Sequence, residues 1–441
     1  MDLSNKISPF QPEDPVEPEN FEGRKRIIEK NLPYLYQSAN GYPTHFFIKG
    51  KRGTGKTSLA TYFKDIAERK CKMIGVHVLN DGVHDIDSLI KQIVERLINE
   101  IEKETWSDKI INKFKDYITK VDLFGVQIEF NPDKKTISYL KDNFPFLLNE
   151  IINNFKDERG LFIIIDDING LSENPDFANW YKSFADTLST NFNKKLPVTF
   201  VLTTYPENAQ KLYDYNPSFY RALKHIDIEG LEDNEIEDFF RKTFNKLNID
   251  ITPDAMELMV RFSSKMPNMM QEIGNGVFWI NNNSVIDRNT ALKGIIRAGN
   301  EIGVKYLQPA LDNSIRSERY LTIFRSLGDD FTHKDLTKEY TFRKKDFAPK
   351  LNKKEQNAFG DFLSRAKELN IIEYAAAPNT GVYKFTNNLY PIYFFIQSIG
   401  YEDESWLFYQ LTTVLIIIPK SESTICSVPN VFEWASSSAT T

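Results

Sequence analysis

Residues 45–57 read His-Phe-Phe-Ile-Lys-Gly-Lys-Arg-Gly-Thr-Gly-Lys-Thr, and this stretch decides the fold. Its second part, residues 50–57, fits the pattern G-x-x-x-x-G-K-[ST] in full. An apolar run that predicts a buried strand enters the pattern, and a helical run leaves it. The glycines let the backbone wrap a phosphate with its N–H groups pointing inward, and the helix N-terminus adds partial positive charge. The sequence therefore predicts a phosphate-binding loop between a strand and a helix.

The residue types in this loop assign chemical roles. Lys56 is expected to reach the β- and γ-phosphates of a nucleotide, and the Thr57 hydroxyl to hold Mg²⁺. The other candidate nucleotide-binding residues of the loop and of the first helical turn are Gly50, Gly53, Thr54, Gly55 and Ser58. The expected ligands are ATP or ADP with Mg²⁺.

Four more apolar runs follow, separated by helical segments. They lie at residues 72–79, 161–167, 198–204 and, more weakly, 225–231. Strands that alternate with helices indicate a parallel sheet between helices. The predicted fold class is therefore α/β, with a parallel sheet that carries helices on both faces.

Polar side chains end the later strands beside the predicted loop. Asp166 is expected to orient the Mg²⁺ shell, and Asp167 to polarise the attacking water. Thr203 and Thr204 end the next run, where a hydroxyl either bonds the water or the γ-phosphate or simply satisfies the strand end. Arg221 precedes the last strand; it either reaches a phosphate across a subunit contact or is a solvated surface arginine.

The rest of the chain divides by its pattern. The predicted domains are a nucleotide-binding domain at 1–232, a helical lid at 233–305, a winged helix at 306–400 and a tail of uncertain structure at 401–441. The winged helix rests on three predicted helices, the second over 332–340, followed by a hairpin around an Asn-Thr-Gly turn. Two segments carry no assigned chemistry, an extended arm at 1–20 and an insertion with a predicted hairpin at 121–137.

Composition limits the functional class. The net charge of −6 argues against nucleic acid coating the whole surface. The two cysteines, Cys71 and Cys426, provide neither a disulfide framework nor a zinc site. The N-terminus is acidic and rich in proline, unlike a signal peptide, and the apolar run at 406–419 is short for a bilayer. We therefore expect a cytoplasmic protein without a membrane span.

Together these residues resemble the AAA+ superfamily, in the branch that holds the origin-recognition ATPases and the STAND-type signalling ATPases. The resemblance covers roughly residues 9–400. It includes an entry segment, residues 18–24, which matches P-x-x-F-x-G-R. In this family that segment lies against the adenine, so the resemblance implies that Phe21, Gly23 and Arg24 lie on the base side.

The chain departs from the family pattern at two positions. Many active relatives carry Asp-Glu where this chain has Asp166-Asp167, so the second carboxylate falls about 1.5 Å short, one C–C bond. The family lid usually presents Gly-x-Pro followed by arginine, whereas residues 265–268 here read Lys-Met-Pro-Asn. Pro267 either touches the nucleotide or merely starts a helix. Both departures predict slow hydrolysis, that is, a weak ATPase.

A basic segment lies in the predicted winged helix. Residues 332–354 hold eight lysine and arginine residues against three acidic ones, a local charge of +5. The lysines of interest are Lys344, Lys345, Lys353 and Lys354. They either contact the phosphates of duplex DNA or form a solvated, lysine-rich loop.

Three functions stay open from the sequence. The first is a nucleotide-dependent switch that rearranges the lid and the winged helix and acts on a protein partner or assembles as a homo-oligomer. The second is an initiator-like ATPase that contacts duplex DNA. The third is a module that binds a nucleotide only for stability. The Asp-Asp pair and the altered lid favour the first, and the basic segment favours the second.

Overall fold

The computed structural model describes residues 7–103, 134–153, 160–192, 196–315, 317–336, 338–376 and 380–399. Within these residues the chain forms two compact units. The first belongs to Met1–Ser314 with Thr386–Tyr390, and the second to Ile315–Phe385 with Pro391–Thr441. Most of the predicted hairpin at 121–137 and all of the tail at 401–441 lie outside the described residues.

The first unit is built on a parallel sheet. Its strands are β1 (Phe46–Gly50), β2 (Ile74–Leu79), β3 (Leu161–Asp166), β4 (Val198–Thr204) and β5 (Lys224–Ile228). In the described residues these five strands lie in the order β2-β3-β4-β1-β5, and each neighbouring pair is parallel. All five predicted strands are therefore present, and the predicted fold class is confirmed.

Helices connect these strands and cover both faces of the sheet. They are α1 (Lys25–Ala39), α2 (Lys56–Cys71), α3 (Ile86–Lys103), α4 (Lys134–Asp142), α5 (Phe144–Asn153), α6 (Pro175–Thr190), α7 (Pro206–Tyr215) and α8 (Pro217–Arg221). Successive strand residues point to opposite faces, so Phe46 and Ile48 join one buried cluster while Phe47 joins the other. This double burial explains why the strands read as continuous apolar runs.

The register of the strands brings their polar ends together. Lys49, one residue before Gly50, pairs with Thr204 of β4. The end of β3, Asp166, pairs with the end of β2. Since the carboxyl ends of all five strands lie at one edge, the loop after β1 and the acids after β3 face the same crevice.

A helical region follows the sheet in the first unit. It contains α9 (Asp233–Asn245), α10 (Pro253–Phe262), α11 (Pro267–Ile280), α12 (Arg288–Ile302), a π-helical turn (Gly303–Leu307) and α13 (Gln308–Ser314), with two short strands, β6 (Asp250–Ile251) and β7 (Val285–Ile286), that pair in parallel. The sequence predicts a helical lid at 233–305, and these elements, residues 233–314, are called the lid from here on.

The second unit combines helices with an antiparallel sheet. Its elements are α14 (Glu318–Thr332), β8 (Thr341–Arg343), α15 (Lys344–Phe347), a 3₁₀ turn (Ala348–Lys350), α16 (Lys353–Glu368), β9 (Ile372–Tyr374), β10 (Val382–Phe385) and α17 (Tyr390–Ile399). Strand β10 pairs with both β8 and β9. The predicted hairpin is thus present as β9 and β10.

One predicted helix of this unit is wrong. The sequence predicts a helix over 332–340, but α14 already ends at Thr332 and the following described residues form turns. A short helix starts instead at Lys344, where the chain leaves β8. Across the described ranges, no helix combines the length and the apolar character needed to cross a membrane.

Candidate functional site

The phosphate loop wraps around the end of its own lysine side chain. Gly53 and Gly55 have φ angles of 79° and 85°, in the left-handed region that favours glycine. The Lys56 ammonium donates to the carbonyls of Gly50 at 2.9 Å and Lys51 at 3.1 Å. Burial lowers the pKa of Lys56, and nearby carboxylates oppose this effect. The loop thus has the backbone of a phosphate cradle, with one cation at its centre.

Tyr205 and the lid border this cradle. The Lys56 ammonium lies 4.4 Å from the centre of the Tyr205 ring, within cation–π range. On the lid side, a Cβ atom at Gly53 would lie 2.7 Å from side-chain atoms of Asn268, and one at Gly55 would lie 3.7 Å from Pro267. The two lid residues that follow Lys265-Met266 therefore sit directly against the loop.

Arg24 holds the phosphate loop through hydrogen bonds to its backbone. Its guanidinium donates to the carbonyls of Thr54 at 3.0 Å and Glu229 at 2.5 Å. Its backbone N–H donates to the Glu235 carboxylate at 2.6 Å, across to the first lid helix. Burial lowers the pKa of Arg24, and the charges of Glu235 and Glu229 partly offset that shift. Arg24, expected on the base side, thus holds the loop's backbone with its guanidinium.

Asp166 is held as a buried carboxylate. Its Oδ1 accepts a hydrogen bond from Thr203 Oγ1 at 2.5 Å, and its Oδ2 lies 3.3 Å from His77 Nε2. Burial alone raises the pKa of Asp166, but hydrogen bonds from His77, Thr203 and Thr57 outweigh it and lower the pKa overall. The carboxylate therefore stays ionised beside the Thr57 hydroxyl, which the sequence pairs with it as a metal site.

Asp167 has a strained backbone and an altered acidity. Its φ of 61° is left-handed for a non-glycine residue, and its N–H donates to Thr203 Oγ1 at 2.8 Å. Burial raises the pKa of Asp167, and the charges of Asp166 and Asp81 raise it further, while a hydrogen bond from the Asn169 N–H and the charge of Lys56 oppose them. A raised pKa makes this carboxylate a stronger proton acceptor than an exposed aspartate.

Thr204 bonds to the turn that follows β3. Its Oγ1 donates to Asn169 Oδ1 at 2.9 Å, and the same amide oxygen accepts from Asn208 Nδ2 at 2.7 Å and from the Tyr205 N–H at 3.3 Å. A threonine hydroxyl has one proton to donate. While this hydrogen bond stands, Thr204 is able only to accept from a ligand.

Four other predicted residues have different neighbours. Arg221 ends α8, is exposed, and donates to Ser218 Oγ at 3.0 Å. Phe21 stacks on Tyr62 of α2 at 4.7 Å between ring centres. The Ser58 hydroxyl accepts from the backbone N–H of Val16 at 3.3 Å, while Gly23 has a φ of 83° and packs near Leu231.

Sequence reasoning missed four residues that border the site. These are His77, Asn169, Tyr205 and Asn268. Asn169 and Tyr205 each lie within two positions of a predicted site residue, so proximity in the sequence was an available signal. His77 lies inside an apolar strand and Asn268 inside a helix, and only strand pairing and helix docking bring them to the loop.

The donor set fits a magnesium nucleotide. Lys56 and the loop N–H groups suit phosphate oxygens, and Thr57 with Asp166 offers the oxygen ligands that Mg²⁺ prefers. Asn268 Oδ1 is buried with no hydrogen-bond partner in the described residues, so this amide has unused hydrogen-bonding capacity beside the loop. In the same residues no three His, Cys, Asp or Glu side chains gather as a metal site.

A protein-family model matches the part of the chain that contains this site. Residues 24–175 match the model of the KAP family P-loop domain. No curated protein matches the chain significantly.

Solved structures share the fold. The ORC2 protein of Aeropyrum pernix, solved as ADPNP and ADP complexes, is 13% identical, with a TM-score of 0.51 over 93% of this chain and 96% of its own. Cdc6p of Pyrobaculum aerophilum is 12% identical, with a TM-score of 0.46 over 94% and 98%. A Walker-type ATPase of Pyrococcus abyssi is 16% identical, with a TM-score of 0.46 over 85% and 97%.

Proposed function

Since the chain carries a P-loop NTPase domain on a fold of the origin-recognition type, we propose that it binds ATP with Mg²⁺ and acts as a slow nucleotide-dependent switch. The observation that carries this proposal is the contact between the phosphate loop and the lid. Asn268 lies against Gly53, and Glu235 of the lid binds the Arg24 N–H beside the loop. A phosphate that enters the loop must therefore displace or engage the lid.

Different residues of the site bind different parts of the magnesium nucleotide. Lys56 leaves the carbonyls of Gly50 and Lys51 and binds the β- and γ-phosphates. Thr57 and Asp166 would hold Mg²⁺, which would supply positive charge to the phosphate oxygens. Asn268 contacts the phosphates from the lid side, so the lid position depends on what the loop holds.

Hydrolysis uses Asp167 as the proton acceptor. Asp167 takes a proton from water as the water oxygen bonds to the γ-phosphorus. The bond from that phosphorus to the β,γ-bridging oxygen breaks, its electron pair stays on ADP, and phosphate leaves. The short Asp167 side chain and the absence of a lid arginine at Asn268 weaken the stabilisation of this transition state. We expect turnover well below about 1 per second, the low end for phosphoryl-transfer enzymes.

Hydrogen exchange of the whole chain tests the switch. We expect the lid helices α9 and α11 and elements of the second unit to exchange at different rates with a non-hydrolysable ATP analogue and with ADP. Lys56→Ala removes the charge that meets the phosphates. Calorimetry should show no nucleotide binding to this variant, and its exchange rates should be the same with either nucleotide.

Two results contradict the proposal in different ways. Wild-type nucleotide affinity in Lys56→Ala refutes the phosphate site itself. If the exchange rates change only in the phosphate loop and not in the second unit, the nucleotide merely stabilises the first unit and the protein is not a switch.

A second candidate function, duplex DNA binding, is favoured by one surface of the second unit. Arg343, Lys344 and Lys345 are exposed at the start of α15, and Lys353 and Lys354 at the start of α16. None of the five forms an ion pair with another described residue, whereas nearby Lys350 is paired with Asp330. Five unpaired cations at two helix N-termini suit phosphate contacts and supply no base readout.

A further inference from the structure

Asn169 joins the ends of two neighbouring strands. It lies two residues beyond Asp167, in the turn that follows β3. Its Oδ1 accepts from Thr204 Oγ1 at 2.9 Å, the Tyr205 N–H at 3.3 Å and Asn208 Nδ2 at 2.7 Å, which belong to the end of β4 and the first turn of α7. Its Nδ2 donates to Asp167 Oδ1.

The orientation of this amide is fixed by its partners. The Tyr205 N–H is a backbone donor, so the atom of Asn169 that faces it must be the acceptor, Oδ1. The amide nitrogen then faces Asp167. A flipped amide would point its N–H₂ at a backbone N–H and its oxygen at a carboxylate, and both contacts would be repulsive.

This arrangement leaves one carboxylate oxygen of Asp167 available to accept a hydrogen bond from water. The Asn169 Nδ2 and the Asn169 backbone N–H, the latter at 3.4 Å, both donate to Oδ1. In the described part of the chain, the hydrogen bonds of this carboxylate all fall on that oxygen, so Oδ2 stays available to accept from water. The left-handed backbone of Asp167, fixed by Thr203, sets the direction of the side chain, and Asn169 sets its rotation.

We propose that Asn169 is a positioning residue for hydrolysis, which aims the carboxylate of Asp167 and ties its position to Thr204 and Asn208 at the end of β4. This role rests on the proposed nucleotide hydrolysis. The amide acts through Asp167 and has no contact of its own with the phosphates. A shift of a reacting group by about 1 Å costs up to about a hundredfold in rate, so a residue that only aims Asp167 still controls turnover.

Single-turnover hydrolysis of ATP, measured beside the affinity for a fluorescent ATP analogue and the thermal stability, tests this role in the full chain. Asn169→Ala removes every hydrogen bond of the amide. Asn169→Asp keeps an acceptor for Thr204, Asn208 and the Tyr205 N–H but loses the donor to Asp167. We expect both variants to hydrolyse ATP about tenfold to a hundredfold more slowly than the wild type, with nucleotide affinity within about threefold, a difference of under 1 kcal/mol.

Asn179→Asp is the matched control, because it makes the same change at an exposed asparagine of α6. It should hydrolyse ATP at the wild-type rate. If Asn169→Asp also retains that rate, donation to Asp167 is irrelevant and the inference fails. If Asn169→Ala loses affinity and stability as much as turnover, its role is structural and the inference fails as well.

Two further results separate this inference from the proposed function. Asp167→Asn with wild-type turnover refutes the role of Asp167, and the inference falls with it while nucleotide binding stands. Unchanged nucleotide affinity in Lys56→Ala refutes the proposed function at its base. If Asp167→Asn hydrolyses ATP slowly while both Asn169 variants hydrolyse it at the wild-type rate, the inference about Asn169 is overturned and the proposed function stands.

Discussion

At Gly53 of the phosphate loop, both the backbone angle and a neighbouring side chain disfavour any residue larger than glycine. Gly53 combines a φ of 79° with a lid side chain, Asn268, at 2.7 Å from where its Cβ would lie. Gly82 has a similar φ of 74° but nothing within 4 Å of that position. The two glycines therefore separate the effect of backbone strain from the effect of the lid contact.

We predict that Gly53→Ala and Gly82→Ala both destabilise the protein by about 1 kcal/mol, since a side chain is strained at positive φ. Only Gly53→Ala should also displace Asn268 and weaken ATP binding by about tenfold, which corresponds to about 1.4 kcal/mol of binding free energy. Denaturant unfolding and calorimetric titration measure the two effects. Equal ATP affinity in the two variants would contradict the contact between loop and lid.

His45 is a second residue whose surroundings decide its chemistry. Its ring is buried, its Nδ1 accepts from the Phe200 N–H at 3.1 Å, and its Nε2 has no partner in the described residues. Burial lowers the pKa of His45 to about 4. The unfolded chain binds this proton near pH 6.5. The stability that His45 contributes is thus complete above pH 6.5 and is lost as the pH falls towards 4.

We predict that the wild type loses up to about 3 kcal/mol of unfolding free energy through this group between pH 7 and pH 4. His45→Gln retains an acceptor for the Phe200 N–H and does not titrate, so its stability should fall less over the same range. His84→Gln, at an exposed histidine, is the control and should follow the wild type. Parallel stability curves for His45→Gln and wild type would show that folding does not lower the pKa of His45.

At the scale of elements, the N-terminal arm connects the lid with the phosphate-loop helix. Phe10 is buried against Phe239 and Phe244 of α9, and it lies so close to Gly274 of α11 that a Cβ there would be 2.1 Å from its ring. Glu13 pairs with Lys305, which also pairs with the buried Glu272 of α11.

The arm then reaches the core. The Val16 N–H donates to Ser58 in the first turn of α2, and Glu19 pairs with Arg69 of the same helix at 3.1 Å. Since the lid contacts come before these core contacts along the arm, the arm ties the lid to the helix that follows the phosphate loop.

We predict that Phe10→Ala releases this arm from the lid. The loss of a buried phenylalanine costs about 3 kcal/mol or more. The lid should then open more often, and ADP should dissociate faster in stopped-flow measurements with a fluorescent analogue. Ile7→Ala, at a side chain that is 85% exposed, should release ADP at the wild-type rate. Unchanged release in Phe10→Ala would mean that the arm does not restrain the lid.

At the scale of the whole molecule, the protein has an acidic balance and a local basic surface. The net charge is −6, while the exposed lysines at the starts of α15 and α16 lie within one short stretch of the second unit. Salt screens contacts between exposed charges, so binding through these lysines must depend steeply on ionic strength.

If the second unit binds duplex DNA, we predict that the four lysines Lys344, Lys345, Lys353 and Lys354 contribute about −4 to the slope of log affinity against log salt. Replacing all four by glutamate should abolish binding in fluorescence anisotropy and leave ATP affinity unchanged. The matched control reverses four exposed lysines of the first unit: Lys30, Lys70, Lys134 and Lys135. If the anisotropy of the duplex does not change when wild-type protein is added at low salt, the DNA-binding function is refuted and the switch function remains.

The sequence by itself determined the sheet, the phosphate loop and the acids that face it. Continuous apolar runs specify strands buried on both faces, and the spacing of glycines and Lys56 specifies a loop whose geometry is local. The helical lid region and the β9–β10 hairpin followed from patterns of the same local kind. The second helix of the second unit was misplaced. Leu336 and Tyr340 of the run at 332–340 are buried, but so short a run has little helical stability of its own, and its described residues after Thr332 form turns.

Only the tertiary structure decided which side chains meet at the site. His77 reaches Asp166 because β2 and β3 are neighbours in the sheet, and Asn268 reaches Gly53 because the lid packs on the loop. The sequence left two roles open for Thr204, and in the structure its hydroxyl donates to Asn169. The physical reason is that a hydrogen-bond donor binds the partner that is closest in space, and spatial neighbours from different strands leave no periodic trace in a single sequence.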